Sequence, residues 1–115
     1  MIYTGIDIIE IDRIVRVKNI YKERFLKKIY TLNEIKYCRN RGPQLASRFA
    51  AKEAIMKALK SSGVDDPISF ESIEILSSKT GEPIVVIDIK FSGQCKVSIS
   101  HTNSHAIASA IYTLE

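Results

Sequence analysis

The stretch LASRFAAKEAIMKAL, residues 45–59, constrains the fold more than any other part of this 115-residue chain. Its alanines, leucines, lysines and glutamate favour helix, and no proline or glycine interrupts the run. At about 100° per residue, Ser47, Ala50, Ala51, Ala54 and Ala58 share one arc. Side chains this small let a neighbouring backbone come close, so the arc predicts tight apposition to another element. Leu45, Phe49, Met56 and Leu59 occupy a second arc, with Arg48 and Lys52 at one border and Glu53, Lys57 and Lys60 along the other. The helix is therefore contacted on most sides, and its charges are expected at edges where burial begins.

The rest of the chain supplies what this helix packs against. Ile2–Ile11 is isoleucine-rich and partly alternating, which predicts a strand, with Gly5 marking a bulge or a close approach. Asp12 can cap a helix running through Ile14 and Val17. Tyr21–Tyr30 reads as a second basic helix or a continuation of the first. Thr31 and Glu34 have the capping-box spacing and predict a helix ending near Asn40, before Gly42-Pro43. The long helix is expected from about Gln44 to Ser61. Strands follow at Phe70–Leu76 and Ile84–Ile89 around the turn Thr80–Pro83, then at Lys96–His101 and Ala106–Tyr112. The class is α+β, a mostly antiparallel sheet with one long central helix.

Length and a hydrophobic content of 45% suit a single domain over residues 1–115. A chain this short buries a core but no deep cleft, so a large substrate would sit on the surface or between subunits. No apolar run approaches the roughly 20 residues that span a bilayer, and no secretory signal opens the chain. Cys38 and Cys95 have no metal-ligand spacing and are expected as free thiols in a reducing compartment, so a cytoplasmic protein is expected.

Charge is unevenly placed. Residues 13–60 carry 14 Lys/Arg against 3 Asp/Glu, whereas the remainder is acidic. The first half thus presents a positive field suited to phosphates, nucleic acid, an anionic membrane or an acidic protein. A nucleic-acid module lacks support, because there is no glycine-rich phosphate loop, no zinc pattern and no aromatic pair on a strand. A membrane-surface helix at residues 12–30 has too little apolar content.

Two acids pose a problem for burial. Asp7 lies mid-strand between Ile6 and Ile8, where aspartate is disfavoured, and alternation puts it on one face with Gly5 and Ile9. Glu53 follows Ala50-Ala51-Lys52, beside the alanine arc. A carboxylate in either place needs a partner. Asp7 could pair with an arginine of the basic half, and Glu53 with Lys57 four residues on. Alternatively Asp7 and Glu53 together hold Mg²⁺, which takes oxygen ligands and leaves positions open for phosphate oxygens.

Three motifs, GIDIIEIDRI, RFAAKEAIMKAL and VSISHT, together resemble holo-acyl-carrier-protein synthase, the small 4′-phosphopantetheinyl transferase family, in order and separation. The resemblance implies the phosphopantetheinyl transferase fold and an Mg²⁺-dependent enzyme. It moves the phosphopantetheine arm of coenzyme A to a serine of apo-acyl carrier protein, releasing adenosine 3′,5′-bisphosphate. It implies Asp7 and Glu53 as metal ligands, and a homotrimer with coenzyme A between subunits. It places His101 and Thr102 near the nucleotide, Lys57 on the pyrophosphate, and Arg48 or Lys52 on the adenosine phosphate. Asp7, Glu53 and Lys57 then form the catalytic set. Arg13, Arg24 and Phe25 match positions that dock the acidic carrier. For the serine proton, a metal-bound water, a nearby carboxylate acting through it and His101 all stand open, with His101 read first as a substrate contact. The chain departs from the family pattern at Tyr3 and at Asn103-Ser104-His105.

Overall fold

The computed structural model describes residues 1–88 and 90–114. In order, its elements are β1 (Ile2–Glu10), α1 (Ile11–Tyr21), α2 (Glu23–Ile29), α3 (Leu32–Cys38) and α4 (Gly42–Ser61). A single 3₁₀ turn (Phe70–Ser72) then leads into β2 (Ile73–Ser77), β3 (Pro83–Ile87), β4 (Gln94–His101) and β5 (His105–Thr113). The expected antiparallel sheet is divided into a three-stranded sheet ordered β1-β5-β4 and a separate β2-β3 hairpin.

The alanine arc has its partner in the three-stranded sheet. On β1 the inward positions include Gly5 and Ile9, paired in register with Ala110 and Ala106 of β5. Ala106, Ala108 and Ala110 are buried, as are Ala50, Ala51, Ala54 and Ala58 of α4. Small residues on both surfaces bring helix and sheet backbones together. At Gly5 the approach is at its limit, since an added Cβ would sit 2.0 Å from the Ala54 carbonyl oxygen. The sequence left Gly5 open between bulge and close approach, and β1 pairs without interruption.

Local chemistry explains the helix ends. Thr31 forms a full capping box with Glu34, Oγ1 accepting from the Glu34 amide and Glu34 Oε1 accepting from the Thr31 amide. Pro43 enters the first turn of α4, where its missing N–H costs nothing. Gly42-Pro43 therefore opens the long helix as well as closing the preceding one. Lys22, with φ of 51°, breaks the basic stretch into α1 and α2.

Three local expectations change. Asp12 does not cap α1, because β1 runs directly into the helix with Glu10 at the cap position. Asp12 instead stands in the first turn, where a negative charge complements the helix dipole. The expected strand from Phe70 begins at Ile73, since Phe70 turns to stack on Phe49 at 5.3 Å. The returning strand ends at Ile87, and Ile89 lies outside the described residues.

The outer face of the three-stranded sheet is uncovered in the isolated chain. Ile6 and Ile8 are 60% and 62% exposed, and Ile2, Ile107 and Ile111 stand on the same face.

Candidate functional site

The β1–α4 apposition that Gly5 permits also sets the chemistry two residues further along the strand. Asp7 shares the inward face, and its side chain is 15% exposed. Lys57 of α4 reaches over to it, Nζ donating to Asp7 Oδ1 at 3.2 Å and to the Ile6 carbonyl at 2.9 Å. Glu53 lies one turn earlier on α4, half-buried. Burial first, and then the charge of Asp7, push the Glu53 carboxyl above the ordinary carboxylate range, with Lys57 opposing. The structure thus brings Asp7, Glu53 and Lys57 together. Asp7 was expected to meet an arginine or a metal ion; the cation it meets is Lys57, which was expected to pair with Glu53. Two hard oxygen donors beside an exposed flank, with a lone cation already between strand and helix, fit a Mg²⁺ ion that keeps positions for phosphate.

A second constellation forms around Arg48. Its guanidinium carbon lies 4.2 Å from the centre of the Tyr37 ring, and Nη2 donates to Ser77 Oγ at 3.2 Å. Arg48 Nε is buried and has no partner among the described residues. A cavity of about 220 Å³ is lined by Arg48, His101, Tyr37, Gln44, Ser47 and Ser77, among others. A fixed guanidinium facing a histidine across such a space is suited to an anion. His101 is exposed at the end of β4, its Nδ1 lying 3.2 Å from the Thr102 carbonyl oxygen.

One expected contact is corrected. Lys52 does not border the helix; its side chain is fully buried, and Nζ donates to Glu34 Oε1 at 2.6 Å, to the Ile29 carbonyl at 2.7 Å and to the Phe70 carbonyl at 3.1 Å. With its three donors occupied and no exposure, it has no route to a phosphate. Thr102 does not line the Arg48 cavity. Its Oγ1 accepts from the amides of Ser104 and His105, which shapes the β4–β5 turn.

Arg24 and Phe25 line a shallow depression of about 280 Å³ with Tyr21 and Lys28. Arg13 is exposed on α1, outside it. A larger groove, about 620 Å³, runs between α1, α2 and α3, with Lys18, Lys22, Lys27 and Arg39 over Leu26 and Ile35.

Sequence reasoning missed Tyr37, Ser77 and Glu34. The Tyr37 phenol is held below the ordinary tyrosine range, by the Ser77 hydroxyl first and then by the flanking arginines. Glu34 was seen only as a cap. Its buried Oε2 also accepts from the Ile75 amide at 2.8 Å, tying α3 to β2. Its capping-box position was the signal the sequence carried.

Residues 3–110 match the model of the 4′-phosphopantetheinyl transferase superfamily. A holo-[acyl-carrier-protein] synthase of Chloroherpeton thalassium is 44% identical over 93% of both chains. Among solved structures, the Helicobacter pylori holo-[acyl-carrier-protein] synthase in complex with coenzyme A superimposes with a TM-score of 0.80 at 29% identity, covering 96% of this chain and 99% of its own. The Bacillus anthracis enzyme in complex with coenzyme A (3′,5′-ADP) gives 0.77 at 31% identity, covering 96% and 94%.

Proposed function

The chain belongs to the 4′-phosphopantetheinyl transferase superfamily, and from that premise we propose that it transfers the phosphopantetheine arm of coenzyme A to a serine of an apo-acyl carrier protein. The reaction forms a phosphodiester at the serine oxygen and releases adenosine 3′,5′-bisphosphate. The observation that carries this reading is the meeting of Asp7, Glu53 and Lys57 across β1 and α4. Asp7 and Glu53 are the residues that would hold Mg²⁺, which when bound neutralises charge on the pyrophosphate.

The chain's own residues supply the remaining positioning. Lys57 is a half-exposed cation that can meet the pyrophosphate oxygens as charge builds on the leaving side. Arg48, locked by Tyr37 and Ser77, lines the cavity with His101 and would meet the phosphate on the adenosine there. His101 acts there as a substrate contact, and a carboxylate acting through water takes the serine proton.

The uncovered isoleucines of β1 and β5 support an interface between subunits, since contiguous apolar surface marks one, and the family resemblance makes the assembly a homotrimer with active sites between subunits. Arg13, Arg24 and Phe25 form the docking surface for the acidic carrier, and the positive first half speeds its approach. Residues 1–115 act as one domain in the cytoplasm, and the thiol-bearing carrier serves enzymes of fatty acid biosynthesis. Neither nucleic acid nor membrane is part of this scheme. Mass spectrometry of an apo-carrier incubated with the protein, coenzyme A and Mg²⁺ tests it. A phosphopantetheine mass gain on the carrier serine is expected, and an unchanged carrier overturns the reading.

A further inference from the structure

We infer that Lys57 is the counter-ion of Asp7 until a divalent cation arrives, so that it competes with the metal and must leave Asp7 before it can serve the pyrophosphate. The inference rests on the assignment of Asp7 and Glu53 as metal ligands, and deepens it. Three observations carry it. Lys57 Nζ is bonded to Asp7 Oδ1 at 3.2 Å and also to the Ile6 carbonyl at 2.9 Å. The Asp7 side chain is 15% exposed and fixed on a paired strand, whereas that of Lys57 is 54% exposed on a flexible stem. Lys57 also projects one turn beyond Glu53 on the same helix, so its ammonium lies where a shared cation between the two acids would meet repulsion.

Asp7 cannot move without disturbing β1, but Lys57 can swing outward with little lost burial. An open depression of about 470 Å³ bordered by Thr4, Gly5, Ile6 and Ser109 gives it room. Lys57 therefore changes partners, from carboxylate to phosphate, as the site loads. By reciprocity, an anionic ligand that draws Lys57 away tightens the metal, and the metal tightens the anion. Lys57 thereby links the two binding events through one side chain.

The test measures Mn²⁺ alone on the full chain, without coenzyme A, from the electron paramagnetic resonance signal of the free ion. Lys57→Met is expected to bind Mn²⁺ roughly tenfold more tightly than the unsubstituted protein, as removal of a nearby unit charge requires. Lys60→Met, which removes the same charge about one turn farther along α4, is expected to change affinity less than about threefold. Lys57→Gln provides a second neutral variant, and far-ultraviolet circular dichroism checks that each is folded. Equal or weaker Mn²⁺ binding by folded Lys57→Met and Lys57→Gln overturns the inference while leaving the metal site standing, provided Asp7→Asn abolishes binding. Failure of Mn²⁺ to bind the unsubstituted protein and every variant overturns the metal assignment, and this inference with it.

Discussion

Lys52 Nζ and Glu34 Oε1 lie 2.6 Å apart with neither side chain exposed. Burial pulls the Lys52 ammonium below the ordinary lysine range, and the Glu34 carboxylate opposes that pull. Around this pair the end of α2, the start of α3, the middle of α4 and the entry to β2 are all hydrogen-bonded. Lys52→Met leaves Glu34 buried without its cation, so a loss of about 3–5 kcal/mol is expected in urea unfolding. A loss below about 1 kcal/mol would show that the pair is dispensable.

Gly5→Ala is expected to destabilise by about 3 kcal/mol or more, because the new methyl meets backbone atoms of Ala54 and Ala58, which cannot rotate away. Thermal unfolding measures it. An unchanged midpoint would mean that β1 and α4 separate freely.

Tyr37 and Tyr30 should titrate on opposite sides of the ordinary tyrosine value of 10.0. The lowered Tyr37 contributes stability that is present above pH 10.0 and fades as pH falls through its folded value. Tyr30, raised chiefly by burial, contributes stability that is complete below pH 10.0 and is lost as pH rises toward its folded value. Phenolate absorbance follows both. Ser77→Ala should move Tyr37 upward, since the Ser77 hydroxyl is the largest single cause of its lowering. A Tyr37 unmoved in that variant would refute the assignment.

Asp7→Asn and Glu53→Gln should remain folded yet lose roughly 10²-fold or more in transfer rate, together with their response to Mg²⁺. Steady-state rates across a magnesium series decide this. Full activity of both variants would remove the metal role.

A lysine at Ile8, on the uncovered sheet face, should yield single chains in sedimentation without unfolding them. Transfer should fall at the same time if the sites lie between subunits. Assembly unaffected by both Ile6→Lys and Ile8→Lys would place the interface elsewhere.

Much of the fold follows from short-range features of the sequence. The capping box at Thr31, the period of α4 and the alternation of β1 each depend on neighbours a few residues away. The same alternation put Asp7 on the face with Gly5 and Ile9, but its pairing with Glu53 rested on the resemblance, since nothing local joins the two. Nor was the burial of Lys52 legible, because a lysine at the border of a helix can point to water or inward. Its direction is decided by Glu34, 18 residues earlier, and by the carbonyls of Ile29 and Phe70.

What the sequence alone determined is the pattern of small, apolar and charged positions along each element. Tertiary structure decided which charge meets which, making Lys57 the partner of Asp7 and Arg48 the neighbour of His101. The physical reason is that helix and strand patterns arise from local backbone geometry. A charge finds its partner only after distant segments have packed and water has been excluded between them.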